Sequence, residues 1–309
     1  MIFPKDEILM PTLTIITPTY NRADCLPACW DSLKAQTSKD FQWLIVDDGS
    51  TDATQKTVKR FLIEHEDIQI DYLQKENGGK HTALNAAHPL IQGKYVIILD
   101  SDDRLVPEAV SSILQAWERF ETDAQVGRII FLKGYTVDEP ICYVKNENLP
   151  VDTLQEPRIA VTGRDCCDTF RTELFRKYPF PVFPGERFIG EGAAFFGMEL
   201  ESKGVYINKV IYLCEYREDG LTQAGRKMRL QNPLGGMYNS RTYMHPKLSM
   251  KRRIEKGILY SCYAKFAKVS FPKALRENPY KALTLITHFP GVLLYRYWNR
   301  TFFKGDRPT

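Results

Sequence analysis

Residues 95–103 read Y-V-I-I-L-D-S-D-D, an apolar run that ends in three carboxylates. A short, β-branched run of this kind is typical of a buried strand in a parallel sheet. Residues 43–50, W-L-I-V-D-D-G-S, show the same arrangement earlier in the chain. Ligands of open α/β sheets bind outside the carboxyl ends of the strands, so both acidic clusters are expected on one rim. Carboxylate oxygens suit Mg²⁺ or Mn²⁺, which commonly bridge carboxylates to phosphates.

Strand and helix patterns alternate along the first part of the chain. Apolar runs at 13–17 and 68–73 accompany the two quoted above, and helical periodicity fills the segments between them. Val126 to Leu132 is expected to be a further strand. This alternation predicts an α/β fold with a doubly wound, mostly parallel sheet. After Thr136 the alternation ends, and from residue 224 onward helix formers and basic residues predominate.

Positive charge is concentrated at the end of the chain. The net formal charge of the 309 residues is only +4, whereas residues 241–309 carry 15 Lys or Arg against 3 Asp or Glu. The remaining residues therefore carry a net charge of −8. A basic end segment indicates an anionic membrane surface or nucleic acid as partner, although a solvated helical face is an alternative explanation.

Several patterns bear on the cellular compartment. The N-terminal residues lack the basic start and apolar stretch of a signal peptide. No apolar run reaches the length of about 18 residues that a membrane-spanning helix needs. The seven cysteines include no C-x-x-C pair, so buried, reduced thiols are expected. These patterns predict a cytoplasmic protein.

The first strand ends in a turn without the glycine patterns of known nucleotide loops. Residues 15–22 read I-I-T-P-T-Y-N-R, which fits neither the dinucleotide-binding fingerprint nor the P-loop. Pro18 and Tyr20 instead offer backbone groups and an aromatic surface to a flat base. An ordinary strand-to-helix turn explains the same residues.

The two acidic strand ends suggest different chemistry. At 47–52, Gly49 permits a sharp turn, and a carboxylate beside it can accept the imide N–H of a pyrimidine. The alternative is simple capping of the next helix by Ser50 or Thr51. At 100–102, carboxylates that follow a buried strand are costly to bury without a partner, so a cation is expected there. Such a cation would neutralise a departing diphosphate.

Four linked motifs resemble those of family 2 glycosyltransferases, which are inverting enzymes with the GT-A fold. They are I-I-T-P-T-Y-N-R at 15–22, L-I-V-D-D-G-S-T-D at 44–52, N-G-G-K-H-T-A-L-N at 77–85 and Y-V-I-I-L-D-S-D-D at 95–103. The resemblance is strong over 13–105 and weak as far as 216. It implies a GT-A catalytic domain over 1–223, followed by a helical basic region at 224–309. Within the catalytic domain, the donor half would cover about 11–135 and the acceptor half about 136–223.

The resemblance implies where a sugar nucleotide would bind. Pro18 and Tyr20 would hold the base, with Asp48 on the uracil imide and Asp47 shaping the same pocket. The donor is then a nucleoside diphosphate sugar, and a UDP-sugar is favoured. A non-catalytic binder of such sugar nucleotides is one alternative, and a nucleotidyltransferase on a similar sheet is another.

The resemblance also implies how the diphosphate would be held. Lys80 would lie near the sugar or the diphosphate, although a solvated lysine after a glycine turn is the simpler explanation. Asp100 and Asp102 match the D-x-D motif, with Asp102 the better metal ligand and Asp100 closer to the ribose. The implied cofactor is Mn²⁺ or Mg²⁺.

Inversion requires a general base that deprotonates the acceptor hydroxyl. The family carries an acidic residue for this, often in an E-D pair that opens a helix. Glu191 matches the first acid, whereas Gly192 stands where the second would be. Asp168 is the alternative base and could instead contact the acceptor. Arg217 resembles a residue of the segment that closes over the diphosphate, and a surface salt bridge is its alternative role.

The C-terminal stretch interleaves aromatic and basic residues. Between Tyr280 and Phe303 this pattern suits an interfacial membrane anchor, while packing against the rest of the protein is the alternative. The implied acceptor is a saccharide or a lipid-linked saccharide of a bacterial surface polysaccharide. We therefore expect a cytoplasmic protein, peripheral on the inner face of the membrane, without nucleic acid as a partner.

Overall fold

The computed structural model describes residues 10–64, 67–156, 158–214 and 221–303, and only the backbone of 221–224. These residues form two units. The first unit contains the described residues up to Pro179 and from Glu201 to Cys214. The second contains Phe180 to Leu200 and the residues from Leu221 onward. Residues 180–200, which we assigned to an acceptor half of the catalytic domain, thus group with the C-terminal helices.

All strands formed by the described residues lie in the first unit. They are β1 (Leu13–Thr19), β2 (Phe41–Asp47), β3 (Gln69–Gln74), β4 (Tyr95–Ile98), β5 (Arg104–Leu105), β6 (Val126–Thr136), β7 (Glu139–Pro140), β8 (Cys142–Val144), β9 (Pro150–Val151), β10 (Arg158–Ala160), β11 (Cys166–Arg171) and β12 (Lys203–Leu213). Strands β8 and β10 form a small separate sheet, and the others belong to one mixed sheet.

Helices occur in both units. The first unit contains α1 (Leu26–Lys34), α2 (Thr54–Glu64), α3 (Lys80–Ala87), α4 (Ala109–Arg119) and α5 (Thr172–Lys177). The second contains α6 (Gly192–Glu201, apart from its last residue), α7 (Leu221–Gln231), α8 (Pro233–Thr242), α9 (Met250–Phe266), α10 (Phe271–Glu277) and α11 (Lys281–Phe302). Helix α7 is interrupted at Gly225, whose φ is +47°.

The first four strands form the parallel part of the large sheet, in the order β3-β2-β1-β4. Their register places Thr19 of β1 beside Asp47 of β2, and Ile16 of β1 beside Ile98 of β4. The carboxyl ends of these strands therefore meet at one edge of the sheet, as the sequence predicted.

Aromatic packing holds the helices to this part of the sheet. Trp30 of α1 stacks on Trp43 of β2 with ring centroids 5.2 Å apart, and Phe61 of α2 lies 5.8 Å from Trp43. The indole N–H of Trp43 donates to Oγ1 of Thr17 at 2.9 Å, so its one polar atom is satisfied. Each aromatic pair contributes about 0.5–1.5 kcal/mol beyond the burial of its area.

The other part of the sheet contains the antiparallel pairs, so the sheet as a whole is mixed. Strand β11 lies between β4 and β6 and is antiparallel to both. Strand β12 is parallel to β6, whereas β5, β7 and β9 all pair in the antiparallel sense. The parallel prediction holds for the βαβ units, because a crossover helix returns the chain to the same edge. The antiparallel strands β7, β9 and β11 follow Thr136, beyond the regular alternation of strands and helices.

The second unit is a helical bundle with its own apolar core, to which Leu230, Met237, Tyr260 and Trp298 contribute. Helices α9 and α11 approach closely. A Cβ atom at Gly291 of α11 would lie 2.8 Å from the carbonyl oxygen of Ile258 in α9. Helix α11 is therefore a packed element of this unit. Across the described residues, we find no helix that combines the length and apolar character needed to span a membrane.

Candidate functional site

The structure brings the motif residues of the first unit to the carboxyl edge of the parallel strands. Asp47 ends β2, and Asp100 follows β4 by two residues. Tyr20 follows β1 directly and is largely exposed, whereas Pro18 is buried within the strand. An exposed aromatic ring at this edge is available for stacking with a flat base.

The carboxylate of Asp48 holds the glycine loop that precedes α3. Its Oδ1 atom accepts bonds from Lys75 Nζ at 2.6 Å and from the Gly78 amide at 3.0 Å. Its Oδ2 atom accepts from the Gly79 amide at 2.6 Å and from Asn77 Nδ2 at 3.2 Å. The residue is only 3% exposed. A pyrimidine imide could reach this carboxylate only by replacing one of these donors, because both oxygens are already engaged.

The turn after β2 is fixed by its own side chains. Oδ1 of Asp47 accepts the amide of Ser50 at 2.8 Å, and Oδ2 accepts the hydroxyl of Tyr72 at 2.7 Å. Gly49 has φ +81°, and a Cβ atom there would lie 2.8 Å from the Asn77 amide nitrogen, so only glycine fits. Asp47 thus shapes the turn through hydrogen bonds that the structure already satisfies.

The contacts of the described residues do not support the alternative in which Ser50 or Thr51 caps the next helix. The amide of Thr54, which begins α2, donates to Oδ1 of Asp52 at 2.9 Å. Ser50 instead accepts the amide of Asn21 at 2.9 Å, and the Thr51 amide donates to Oδ1 of Asn21 at 2.8 Å. These two residues therefore join the turn after β2 to the turn after β1, because both turns leave the same edge of the sheet.

Lys80 and Asp100 form an ion pair at this edge. The Nζ atom of Lys80 lies 2.6 Å from Oδ1 of Asp100, and both side chains are half-buried. Burial acts to raise the pKa of Asp100, but the charges of Lys80 and Lys133 outweigh it and hold that pKa below its ordinary value. The simple interpretation of Lys80 as a solvated residue is thereby excluded.

Asp102 lies in a different electrostatic environment from Asp100. Burial and the nearby negative charge of Asp100 raise the pKa of Asp102 above its ordinary value. The third carboxylate, Asp103, is buried and accepts the hydroxyl of Tyr212 at 2.8 Å, while that hydroxyl accepts the Asp100 amide at 3.0 Å. Asp103 therefore fixes the backbone of the D-x-D turn.

The donor set at this edge suits an ion that shares its ligands with a phosphate. No group of three or more His, Cys, Asp or Glu side chains within the described ranges is arranged to hold a metal ion. The chain can offer Asp100 and Asp102, and the other ligands would come from a diphosphate and water. Mg²⁺ and similar ions are commonly held in this way. A divalent cation would also offset the unfavourable charge of Asp102.

His81 of α3 is buried beside this loop. Burial lowers its pKa and the charge of Lys75 acts in the same direction, although Asp48 opposes them. Its Nδ1 atom has no hydrogen-bond partner within the part of the chain that the structure describes. A neutral imidazole here packs against the loop.

Asp168 lies within β11, paired with a buried arginine. Nη1 of Arg128 in β6 donates to Oδ1 of Asp168 at 3.1 Å, and Arg128 is only 1% exposed. Arg128 also donates to Thr153. This geometry gives Asp168 a structural task, because an unpaired guanidinium would be costly at such a depth.

Glu191 immediately precedes α6 in the second unit and is exposed. Its carbonyl oxygen accepts the amides of Ala194 and Phe195 at 3.0 and 3.1 Å, so it starts the helix. A Cβ atom at Gly192 would lie 2.4 Å from Oη of Tyr243. The ring of Tyr243 thus occupies the space into which a side chain at position 192 would project. Arg217, predicted to neutralise phosphate, lies outside the described residues.

Sequence reasoning missed three residues that organise the edge. Lys75 bonds Asp48, Asn77 bonds the Asp48 carbonyl at 2.8 Å, and Tyr212 bridges two residues of the D-x-D turn. For Lys75 and Asn77 a signal existed, since they flank the glycine turn. Tyr212 lies more than a hundred positions from its partners, and no local pattern could indicate the contact.

A family model described as Glycosyl transferase family 2 matches residues 14–178, which is more than half of the chain. The chain belongs to glycosyl transferase family 2. The expected family and enzyme class are thus confirmed.

Two relatives illustrate how far sequence similarity extends. The GalNAc(5)-diNAcBac-PP-undecaprenol beta-1,3-glucosyltransferase of Campylobacter jejuni is 25% identical and covers 92% of both chains. Glycosyltransferase GlyA of Streptococcus pneumoniae is 35% identical over 37% of this glycosyltransferase, and the matched segment spans only 16% of that longer protein.

Solved structures share the fold at low sequence identity. Residues 1–349 of S. aureus TarS superpose with a TM-score of 0.58 at 16% identity, covering 95% of this chain and 92% of theirs. The mannosyltransferase PcManGT of Pyrobaculum calidifontis gives a TM-score of 0.55 at 18% identity, covering 96% and 84%. The expected GT-A fold is confirmed.

Proposed function

We propose that this family 2 glycosyltransferase is an inverting, metal-dependent enzyme. It transfers a sugar from a nucleoside diphosphate sugar, with UDP-sugars favoured, to a saccharide or lipid-linked acceptor. The observation that carries the proposal is the Lys80–Asp100 ion pair beside Asp102 at the carboxyl edge of the parallel strands. A lysine and two carboxylates together can hold a diphosphate, a ribose and a divalent ion.

Related structures support the donor and the metal. TarS has been crystallised with UDP-GlcNAc, and PcManGT with GDP-Man and Mn²⁺. In this chain, Pro18, Tyr20, Asp47 and Asp48 would form the base pocket. Tyr20 would offer its ring, and Asp48 would position the loop whose amides it holds.

The metal site would consist of Asp102 and Asp100. A bound Mn²⁺ or Mg²⁺ would neutralise charge on the departing diphosphate. Lys80 would add a second positive charge and would hold Asp100 ionised and oriented toward the ribose. Arg217 keeps its predicted role at the diphosphate.

An inverting mechanism needs an acidic residue on the acceptor side that deprotonates the acceptor hydroxyl. We propose Glu191 as this base, because it is exposed and opens a helix. Asp168 is the weaker candidate, since its carboxylate is paired with buried Arg128.

The acceptor is proposed to be a lipid-linked or wall-polymer saccharide of a bacterial surface. Support comes from the Campylobacter relative, whose name specifies an undecaprenol diphosphate-linked acceptor and whose match extends over 92% of this chain. The enzyme would meet such an acceptor at the inner face of the cell membrane.

Helix α11 offers a surface for that membrane contact. Its face opposite α9 exposes Leu285, Ile286, Phe289, Leu293 and Tyr297, with Ile286 and Phe289 71% and 69% exposed. Lys281, Arg296 and Arg300 on the same helix are exposed as well. Apolar side chains flanked by basic ones suit the interface of an anionic bilayer.

Donor turnover tests the catalytic proposal. Hydrolysis and binding should be screened over uridine, guanosine and thymidine diphosphate sugars, with Mn²⁺ and with Mg²⁺. We expect a nucleoside diphosphate as product, with uridine sugars most active. Pyrophosphate release would instead indicate a nucleotidyltransferase, and binding without turnover on any acceptor would indicate a non-catalytic binder.

Polar substitution tests the membrane surface better than deletion of α11, because the buried face of α11 is part of the core of its unit. Ile286→Gln with Phe289→Gln should weaken binding to vesicles that contain phosphatidylglycerol. Leu62→Gln with Ile63→Gln, two exposed apolar residues of α2, is the matched control and should bind normally. Equal binding by both variants would contradict a membrane role for α11.

A further inference from the structure

Four basic side chains of the second unit gather around aromatic rings. Arg226 and Arg229 come from α7, and Arg252 and Lys256 lie one turn apart on α9, where such spacing places them on one face. We call these four residues the basic cluster.

The ring of Tyr243, just after α8, is the centre of this arrangement. Lys256 Nζ lies 4.9 Å from its centroid, and Arg252 Cζ lies 5.1 Å from it. Arg226 Cζ lies 4.4 Å from the ring of Trp298, which is almost fully buried. Cation–π contacts of this kind hold the charged groups in place without neutralising them.

Among the described residues, ion pairs do not balance the positive charge of the cluster. Within the described ranges, no carboxylate forms an ion pair with any of its four members. Burial lowers the pKa of Lys256, and the charges of Arg252, Arg229 and Arg226 lower it further, with Glu255 opposing them. Each of the three arginines is therefore close enough to repel Lys256, and a bound anion would relieve that repulsion.

The cluster lies beside the proposed catalytic base. A Cβ atom at Gly192 would be 2.4 Å from Tyr243 Oη and 3.0 Å from its Cε2, so the ring packs against the residue that follows Glu191. Phe196 of α6 fixes the same ring from its edge, with centroids 4.8 Å apart. One face of Tyr243 thus connects the start of α6 to the basic side chains.

We infer that the basic cluster binds a phosphate or diphosphate group of the acceptor, near the hydroxyl that reacts. The clustered guanidinium and ammonium groups supply the charge-assisted hydrogen bonds that phosphate oxygens accept. The assignment of this anion to the acceptor rests on the proposed function, because it takes Glu191 as the base. The existence of an anion site does not depend on the proposed function. The consequence for specificity is an acceptor whose phosphate is separated from the reacting hydroxyl by very few sugar units.

The test uses the full-length protein and inorganic pyrophosphate as the probe, measured by calorimetry at fixed ionic strength. Arg252→Gln with Lys256→Gln should weaken pyrophosphate binding about tenfold or more, since each charge-assisted contact is worth roughly that factor. Binding of UDP with Mn²⁺ and hydrolysis of the donor sugar should remain unchanged.

The control removes the same charge elsewhere. Lys273→Gln with Arg276→Gln on α10 changes one lysine and one arginine, both exposed, and should bind pyrophosphate normally. Equal weakening in both variants would show a general charge effect and would overturn the inference. So would equal loss of UDP binding in the cluster variant, which would assign these residues to the donor diphosphate.

Vesicles distinguish the source of the phosphate. If the cluster binds lipid headgroups, the cluster variant will bind phosphatidylglycerol vesicles less tightly than the wild-type protein, and the wild-type protein will not bind pyrophosphate. That pair of results would contradict the assignment to the acceptor. Donor hydrolysis is measured separately, so failure of the inference would leave the proposed transferase activity untouched.

Discussion

Lys80 and Asp100 meet at 2.6 Å, joining the first residue of α3 to the residue that begins the D-x-D motif. Two positions further on, Asp102 forms no equivalent ion pair with a described residue, and burial together with Asp100 raises its pKa instead. The protein thus holds Asp100 ionised, whereas Asp102 would gain most from an added cation.

Lys80→Met should change the pH dependence of donor turnover. Lys80 lowers the pKa of both carboxylates, although burial and Asp100 still leave the pKa of Asp102 above its ordinary value. Activity that needs both carboxylates ionised is therefore lost as the pH falls through the higher pKa, that of Asp102. Without Lys80 both pKa values rise, and the acidic limb of kcat/KM should move to higher pH. Lys80→Arg should largely restore the profile. A uniform loss of rate with an unmoved acidic limb would contradict this role.

Asp102→Asn should abolish metal-dependent turnover while the fold is preserved. Asparagine keeps the shape of the side chain but removes the charge that a divalent cation requires. We expect loss of Mn²⁺ binding in the presence of UDP, measured by titration, together with an unchanged circular dichroism spectrum. If wild-type enzyme kept full activity in excess chelator, the metal proposal would be wrong.

Asp48→Asn should reduce stability as well as activity. The buried carboxylate of Asp48 pairs with Lys75 and accepts hydrogen bonds from two backbone amides of the glycine loop. In the variant, the side-chain NH₂ group of asparagine would face some of these donors, and no hydrogen bond could form there. Breaking a buried ion pair of this type costs about 3–5 kcal/mol. Urea unfolding measures the change. Glu64→Gln, which removes an exposed pair with Arg60, is the control and should lower the free energy of unfolding by less than about 0.5 kcal/mol.

Asp168→Asn and Glu191→Gln should separate structure from catalysis. Asp168 compensates the buried charge of Arg128, so its variant should unfold at markedly lower urea concentration. Glu191 is exposed, so its variant should keep wild-type stability and lose transfer by about a hundredfold or more, as expected for a missing general base. Full transfer by both variants would refute Glu191 as the base.

Gly192→Ala should destabilise the second unit, because the new methyl group would collide with Tyr243. Tyr243→Ala would open that space, so the double variant should lose less stability than the sum of the single ones. A double-mutant cycle measures this coupling. If the effects of the two substitutions on stability were strictly additive, the Tyr243 ring would move aside freely. The ring would then not explain why glycine stands at position 192.

The donor edge was largely predictable because it is assembled from local signals. An apolar strand followed by a carboxylate defines each end, and the parallel crossover rule places Asp47 and Asp100 on one edge before any coordinates are seen. The cap at Asp52 was missed, since several oxygen-bearing side chains compete over three positions. The antiparallel insertion of β11 was missed because pairing between distant strands leaves no period in the sequence.

The sequence by itself determined the family, the parallel half of the sheet and the two acidic strand ends, since these depend on short-range pattern and chain direction. Only the tertiary structure decided what each carboxylate does. It assigned Asp48 to a glycine loop, Asp103 to Tyr212 and Asp168 to Arg128, and it placed Tyr243 against Gly192. Those partners lie far apart along the chain, and the burial that makes their pairing obligatory exists only in the folded state.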